Sequence, residues 1–208
     1  MGKSVYSMVL SDEVIALIDE KALKSGKSRS QIINEILAQH VGFSTQNQRI
    51  KELFASVNAI MEGHRRIRAI QSQQSTIDFL SAINYKYSPR VTYSVALFPG
   101  GQEEGLLKIA LRTTNSLLIS VINCFFDRYI HLEKLYLKGA SYQTVDGKLL
   151  RRLDFARIQS VEHLAEKLTE YVNNLDKLIN LYIEDYPYGL ADQNLEKNFL
   201  LIKDGIVF

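Results

Sequence analysis

The chain has 208 residues, 46% of them hydrophobic and 23% charged, with a net charge of +2 at neutral pH and one cysteine. That composition allows one sizeable domain or two small ones. It excludes a global field for nucleic acid, so any basic site is local, and it excludes an internal disulfide or a Cys/His metal cluster. After Lys3 there is no apolar leader core, and the longest apolar run, around Leu117 to Phe126, is too short to span a bilayer. A cytoplasmic protein with no membrane partner is expected.

The first element is an alternating run, Val5 to Leu10, rich in residues that favour strands. Tyr6, Met8 and Leu10 share one face, placed inward; Lys3, Val5, Ser7 and Val9 share the other. Ser11 caps a helix whose first turn carries Asp12 and Glu13, where the helix dipole favours acids. Val14, Leu17, Ile18 and Ala22 give that helix one buried face. Gly26 ends it in a left-handed conformation. Ser28 and Gln31 form a capping box for a second helix that buries Ile32 or Ile33, Ile36 and Leu37 and fades near Gly42. One strand and two helices bury too little surface to be stable singly. A lone strand also leaves its backbone unpaired, which a twofold copy corrects. An intertwined homodimer is therefore expected.

This stretch resembles the ribbon-helix-helix superfamily of Arc-, MetJ- and CopG-like repressors. The likeness lies in the alternating run ending Leu10-Ser11-Asp12-Glu13, then Ile18, Ala22, Gly26, Ser28-Arg29-Ser30, Ile33 and Leu37. The resemblance implies a two-stranded ribbon in the DNA major groove, with phosphates at the start of the second helix. Carried over, Val5, Ser7 and Val9 would face the bases, with Lys3 at the strand's beginning. Lys27, Ser28, Arg29 and Ser30 would form a phosphate clamp. Two valines are unusual at base-reading positions; valine offers only contact with a thymine methyl. Backbone contacts and DNA shape would then carry more of the specificity. A dimerisation module with a decayed DNA face is the plainer alternative, since charges balance between Met1 and Phe43.

Residues 44–75 are expected to be a helical connector. Ile50, Leu53, Phe54, Val57, Ile60, Met61, His64 and Ile67 form a seven-residue stripe suited to a partner, such as the twofold mate. A hinge is placed at Gln71 to Ser75. Arg65, Arg66 and Arg68 are candidates for further phosphate contacts; a solvated helix face is the alternative.

Residues 76–208 read as an α+β domain. Arg90 to Phe98 and Leu106 to Arg112 are expected strands around a loop containing Pro99 and Gly105. Asn115 caps a central helix carrying Leu118, Ile122, Phe125, Tyr129, Leu132 and Tyr136, ended by Gly139. Asp146-Gly147 turns between short strands. Ser160 opens a long helix with Val161, Leu164, Leu168, Tyr171, Leu175, Leu178 and Tyr182 inward, stopped by Pro187 and Gly189. Phe199 to Phe208 reads as a strand, a turn and a last pairing segment. Cys124, in an apolar run, is expected to pack as a small hydrophobe.

No P-loop, GxGxxG, GxSxG or HExxH pattern occurs. The pairs His131 with Glu133 and Asp127 with Glu184 are the only acid–base candidates, and they are of a kind that arises by chance. No enzyme, cofactor or metal is expected. Ten tyrosines from Tyr85 to Tyr188 suit an effector pocket or a protein interface, or plain packing. Arg151, Arg152 and Arg157 could face acidic partners or DNA, with a solvated surface the plainer account. The expectation is a sequence-specific binder of double-stranded DNA, a homodimer or side-by-side dimers forming a tetramer, acting as a transcriptional repressor. The alternatives are an accessory protein of plasmid mobilisation (a relaxosome component) or partition, whose C-terminal domain recruits a relaxase or motor, and a structural protein with a vestigial DNA face. The C-terminal domain would then serve oligomerisation, a small effector or a protein partner.

Overall fold

The computed structural model describes residues 5, 7–41, 46–64, 66–97, 104–137, 141–145, 147–156, 158 and 160–208. The chain divides into two compact units, Met1–Arg49 and Ile50–Phe208.

The first unit holds helices α1 (Asp12–Ser25) and α2 (Arg29–His40). Ser11 caps α1, its hydroxyl accepting from the Val14 amide at 3.4 Å. Gly26, at φ 64°, ends it, a left-handed conformation that glycine adopts without steric cost. The core between the helices is small: Ile18, Ala22 and Ile32, with Leu10 and Ile33 against them. The described members of the run Val5 to Leu10, Val5 and Ser7 to Leu10, carry no ladder and form no strand here. A strand is defined by its backbone partner, and one chain supplies none.

The second unit is built on a six-stranded antiparallel sheet in the order β1-β2-β3-β4-β6-β5. The strands are β1 (Arg68–Gln73), β2 (Thr76–Ala82), β3 (Arg90–Leu97), β4 (Glu104–Arg112), β5 (Tyr142–Val145) and β6 (Lys148–Asp154). Register places Ile77 opposite Val95, Phe79 opposite Tyr93, Leu107 opposite Arg151 and Ile109 opposite Leu149. All eight are buried, so one face of the sheet points into the core. Gly105 on β4 is dictated by packing: a Cβ there would lie 2.4 Å from the Phe155 ring.

Helices α3 (Gln46–Met61), α4 (Ser116–Tyr136), α5 (Val161–Asp185) and α6 (Ala191–Ile202) share this core. Asn115 and Ser160 cap α4 and α5 through their side chains, as their sequence positions predict. The expected inward faces of both helices are buried, apart from Tyr136 and Val161. Pro187 and Gly189 close α5 through a short 3-10 turn.

Three expectations are corrected here. The 44–75 connector is not an independent helix waiting for a partner. Ile50, Leu53, Val57 and Met61 of α3 are buried in the second unit's own core, and 68–73 is an edge strand. The hinge expected at Gln71 to Ser75 is the β1–β2 hairpin; its polar residues are those of an exposed edge. The tail is helical: Ala191, Leu195 and Phe199 recur every four residues and are buried together. Cys124 is exposed, as is Leu117, so the first half of α4 has an open side. Phe98, Pro99, Gly139, Asp146 and Arg157 lie outside the described residues.

Candidate nucleic-acid interface

The loop between α1 and α2 brings the clamp residues together. The Lys27 amide donates to the Ala22 carbonyl at 3.1 Å, turning the chain sharply after Gly26. Ser28 then caps α2 reciprocally: its hydroxyl accepts from the Gln31 amide at 3.3 Å, and its own amide donates to Gln31 Oε1 at 2.9 Å. The amides of Arg29 and Ser30 lie in the first turn, ahead of the first intrahelical bond, in which Ile32 donates to Ser28. A helix start with unsatisfied amides is chemically suited to an oxyanion. Ser28, Arg29 and Ser30 are all exposed, and Lys27 is half-buried.

The two clamp cations have internal partners. Lys27 Nζ donates to Glu35 at 2.5 and 2.7 Å. Arg29 forms a forked pair with Asp19 of α1. The hydrogen bond from Arg29 holds the Asp19 carboxyl below its ordinary range and raises the guanidinium in turn. These partners are eight and ten residues away, a spacing with no helical signature, and sequence reasoning missed both.

The leading segment divides by exposure as its alternation predicts. Val5 and Val9 are 99% and 100% exposed, and Ser7 is exposed. Met8 and Leu10 turn instead to an apolar groove of about 310 Å³ walled by Val14, Leu17, Ile18, Ile33, Ile36 and Leu37. Several residues expected to be buried are therefore open: Val14, Leu17, Ile36 and Leu37 keep 40–66% of their surface. Lys3 and Arg65 lie outside the described residues, as do Tyr6 and Gly42.

In the second unit the remaining candidates are scattered. Arg66 Nε donates at 2.7 Å to Asp176, a carboxylate buried in α5 that also accepts from the Tyr93 hydroxyl at 3.0 Å. Arg68 is exposed on β1. Arg151 is not surface charge: it is fully buried and paired with buried Glu133 at 2.7 Å. Tyr129, Tyr142 and Tyr171 all donate to the same Glu133. Burial pushes the Tyr129 and Tyr171 hydroxyls well above their usual range. Arg152 is exposed and pairs with Glu104 at 2.9 Å.

The acid–base candidates are not assembled. Glu133 is committed to Arg151 while His131 faces outward from α4. Asp127 lines a groove with Cys124 and Arg128, whereas Glu184 accepts from Asn84. Among the described residues no group of three or more His, Cys, Asp or Glu side chains is placed to hold a metal. No helix among them is long and apolar enough to cross a membrane.

No curated protein and no solved structure matches the chain. A family model does match, over a segment that begins inside the leading run and ends just past α2. Residues 9–42 match the model of the ribbon-helix-helix protein, copG family.

Proposed function

We propose that this chain is a sequence-specific, double-stranded-DNA-binding protein of the cytoplasm that works as a homodimer. Two copies of Val5–Leu10 pair as an antiparallel ribbon and lie in the major groove. The observation that carries this reading is the state of the leading segment in a single chain. Val5, Ser7 and Val9 point outward, uncovered and unladdered, and an apolar groove lies behind them. A second copy satisfies the backbone and covers the groove in one step. Val5, Ser7 and Val9, with Lys3, then meet base edges. Lys27, Ser28, Arg29 and Ser30 meet phosphate after exchanging Glu35 and Asp19 for it. Arg65 and Arg68 supply further phosphate contacts; Arg66 is the weakest of these candidates, because Asp176 already holds it.

The simplest consequence is repression by occluding a promoter, with the second unit supplying oligomerisation into side-by-side dimers or a response to an effector. A second reading is favoured by the size of that unit, Ile50–Phe208, and its separate core. There the same DNA grip serves plasmid mobilisation or partition, and the second unit recruits a relaxase or motor.

Selection of bound sequences from random duplexes, with the footprint length recorded, tests the proposal. Enrichment of a twofold-symmetric site supports it, and the footprint reports how many dimers sit together. Recovery of unenriched sequence removes specific DNA recognition. Where the selected site lies in the source DNA then separates the two readings: over a promoter for a repressor, beside a transfer origin or partition locus for the alternative.

A further inference from the structure

At one end of the second unit's sheet, the β2–β3 turn and the β4–α4 link enclose a groove of about 690 Å³. Tyr85, Lys86 and Tyr87 wall one side, and Arg112, Thr113 and Asn115 the other; among the described residues no carboxylate lines it. Arg90 and Arg112 stand directly opposite each other on β3 and β4. Like charges facing across a ladder destabilise a sheet. Neither arginine, nor Lys86, has an ion-pair partner among the described residues. Four other arginines of this unit are compensated: Asp176 holds Arg66, Asp192 holds Arg128, Glu133 holds Arg151 and Glu104 holds Arg152, while Arg68 on β1 has no such partner among the described residues.

An aromatic ring accompanies these cations. Tyr87 is 89% exposed, with the Lys86 ammonium 5.1 Å from its ring centre. Tyr87 and Ser88 hold φ at 66° and 43°, a region that residues with side chains seldom occupy. The turn thus keeps the ring outside the core at a conformational cost.

We propose that this groove binds a single strand of nucleic acid, its phosphates held by Lys86 and Arg112 and an unstacked base lying on the Tyr87 ring. Uncompensated cations beside an open aromatic face are the two elements such binding needs. A duplex would satisfy the cations but hides its base faces in the stack. An acidic peptide would leave the ring without a role. The volume suits one or two nucleotides, and a free nucleotide shares the same chemistry. The proposal does not rest on the ribbon unit, which uses other residues.

The test is fluorescence anisotropy of dye-labelled oligothymidine with the full chain at low salt, with thymidine monophosphate as competitor. A random duplex is measured alongside in a Lys27→Ala, Arg29→Ala background, which silences the clamp. Tyr87→Gly removes the ring while easing the backbone, and it and Arg112→Ala should each weaken strand binding about five-fold or more. Tyr87→Phe should keep the wild-type affinity, as should the clamp substitutions. Competition by the monophosphate assigns the groove to free nucleotides; its failure to compete assigns it to a longer strand. The proposal is overturned if the strand does not bind, or if binding ignores both Tyr87→Gly and Arg112→Ala. It is equally overturned if duplex binds as tightly as strand and is indifferent to Tyr87→Gly.

Discussion

Leu17→Ala is the sharpest probe of the proposed dimer. Met8, Val14, Leu17, Ile36 and Leu37 leave 50%, 41%, 66%, 40% and 48% of their surfaces exposed in one chain. That is roughly two and a half whole side chains, so covering them contributes about 4–7 kcal/mol per protomer at 1.5–3 kcal/mol for each buried side chain. Twofold symmetry doubles this, which meets the association cost of about 4–15 kcal/mol before any ribbon hydrogen bond is counted. Leu17 supplies about a quarter of the total, and truncating it to alanine removes most of that share, about 1–2 kcal/mol per protomer. Counted twice, the loss raises the dimer dissociation constant about thirty-fold to a thousand-fold. Sedimentation equilibrium of the full chain over a dilution series measures it. Leu23, 86% exposed on the same helix and outside the groove, is the control, and Leu23→Ala should leave association unchanged. An unchanged dissociation constant for Leu17→Ala would refute the reasoning, because burial in a twofold interface is the only role assigned to that side chain.

The clamp is tested in both directions. Alanine at Lys27 and Arg29 should weaken binding to every duplex alike and reduce the salt slope by about 0.9 for each phosphate no longer neutralised; an unaltered slope removes the clamp. Asp19→Asn frees Arg29 and should tighten binding at most about five-fold, the worth of an exposed ion pair; weaker binding would mean that Asp19 positions Arg29 and does not compete for it. Glu133→Gln leaves Arg151 charged and buried without its counter-ion, which should cost about 3–5 kcal/mol in urea unfolding followed by tyrosine emission; a loss below about 1 kcal/mol would show that the pair is not desolvated as its burial implies. Tyr93, Tyr129 and Tyr171 are held neutral by burial, their folded pKa values well above the unfolded value near 10. Their contribution is intact below that pH and declines as pH rises beyond it, by about 1.4 kcal/mol per pH unit for each. The tyrosinate absorbance of these three should therefore appear together with unfolding; their ionisation in a still-folded chain would contradict the assignment.

The parts of the fold that were legible in the sequence are those whose burial repeats within one element. Leu164 to Tyr182 on α5 and Leu118 to Leu132 on α4 announce an inward face through spacing alone, and Ser11, Ser28, Asn115 and Ser160 announce helix starts through local chemistry. What spacing cannot say is which surface a stripe meets. The stripe Ile50, Leu53, Val57, Met61 reads equally well as a seam with a twin helix and as a face on the chain's own core, and the core won. Arg151 shows the same gap from the other side. Leu149, Arg151 and Leu153 alternate inward, but an inward arginine is credible only once Glu133 is seen opposite it, and Glu133 lies on another element. The tail failed for a simpler reason: Phe199 to Ile202 was read without the four-residue rhythm that begins at Ala191.

On the proposed reading, the internal pairs of the clamp bear on specificity more than on strength. Lys27 with Glu35 and Arg29 with Asp19 leave the first unit with little net attraction for a distant polyanion. Long-range pull is the part of DNA binding that ignores sequence. Exchanging Asp19 for a phosphate replaces one forked anion contact by another, and an exposed pair of this kind stabilises the free protein little. Docked binding therefore loses little, while attraction to random duplex, which works at a distance, loses the uncompensated charge it needs. Two valines and one serine on the outward face provide few hydrogen bonds with which to discriminate bases. A protein so equipped gains selectivity by suppressing the background and by requiring two half-sites at fixed separation, and both depend on the dimer holding its two clamps in register.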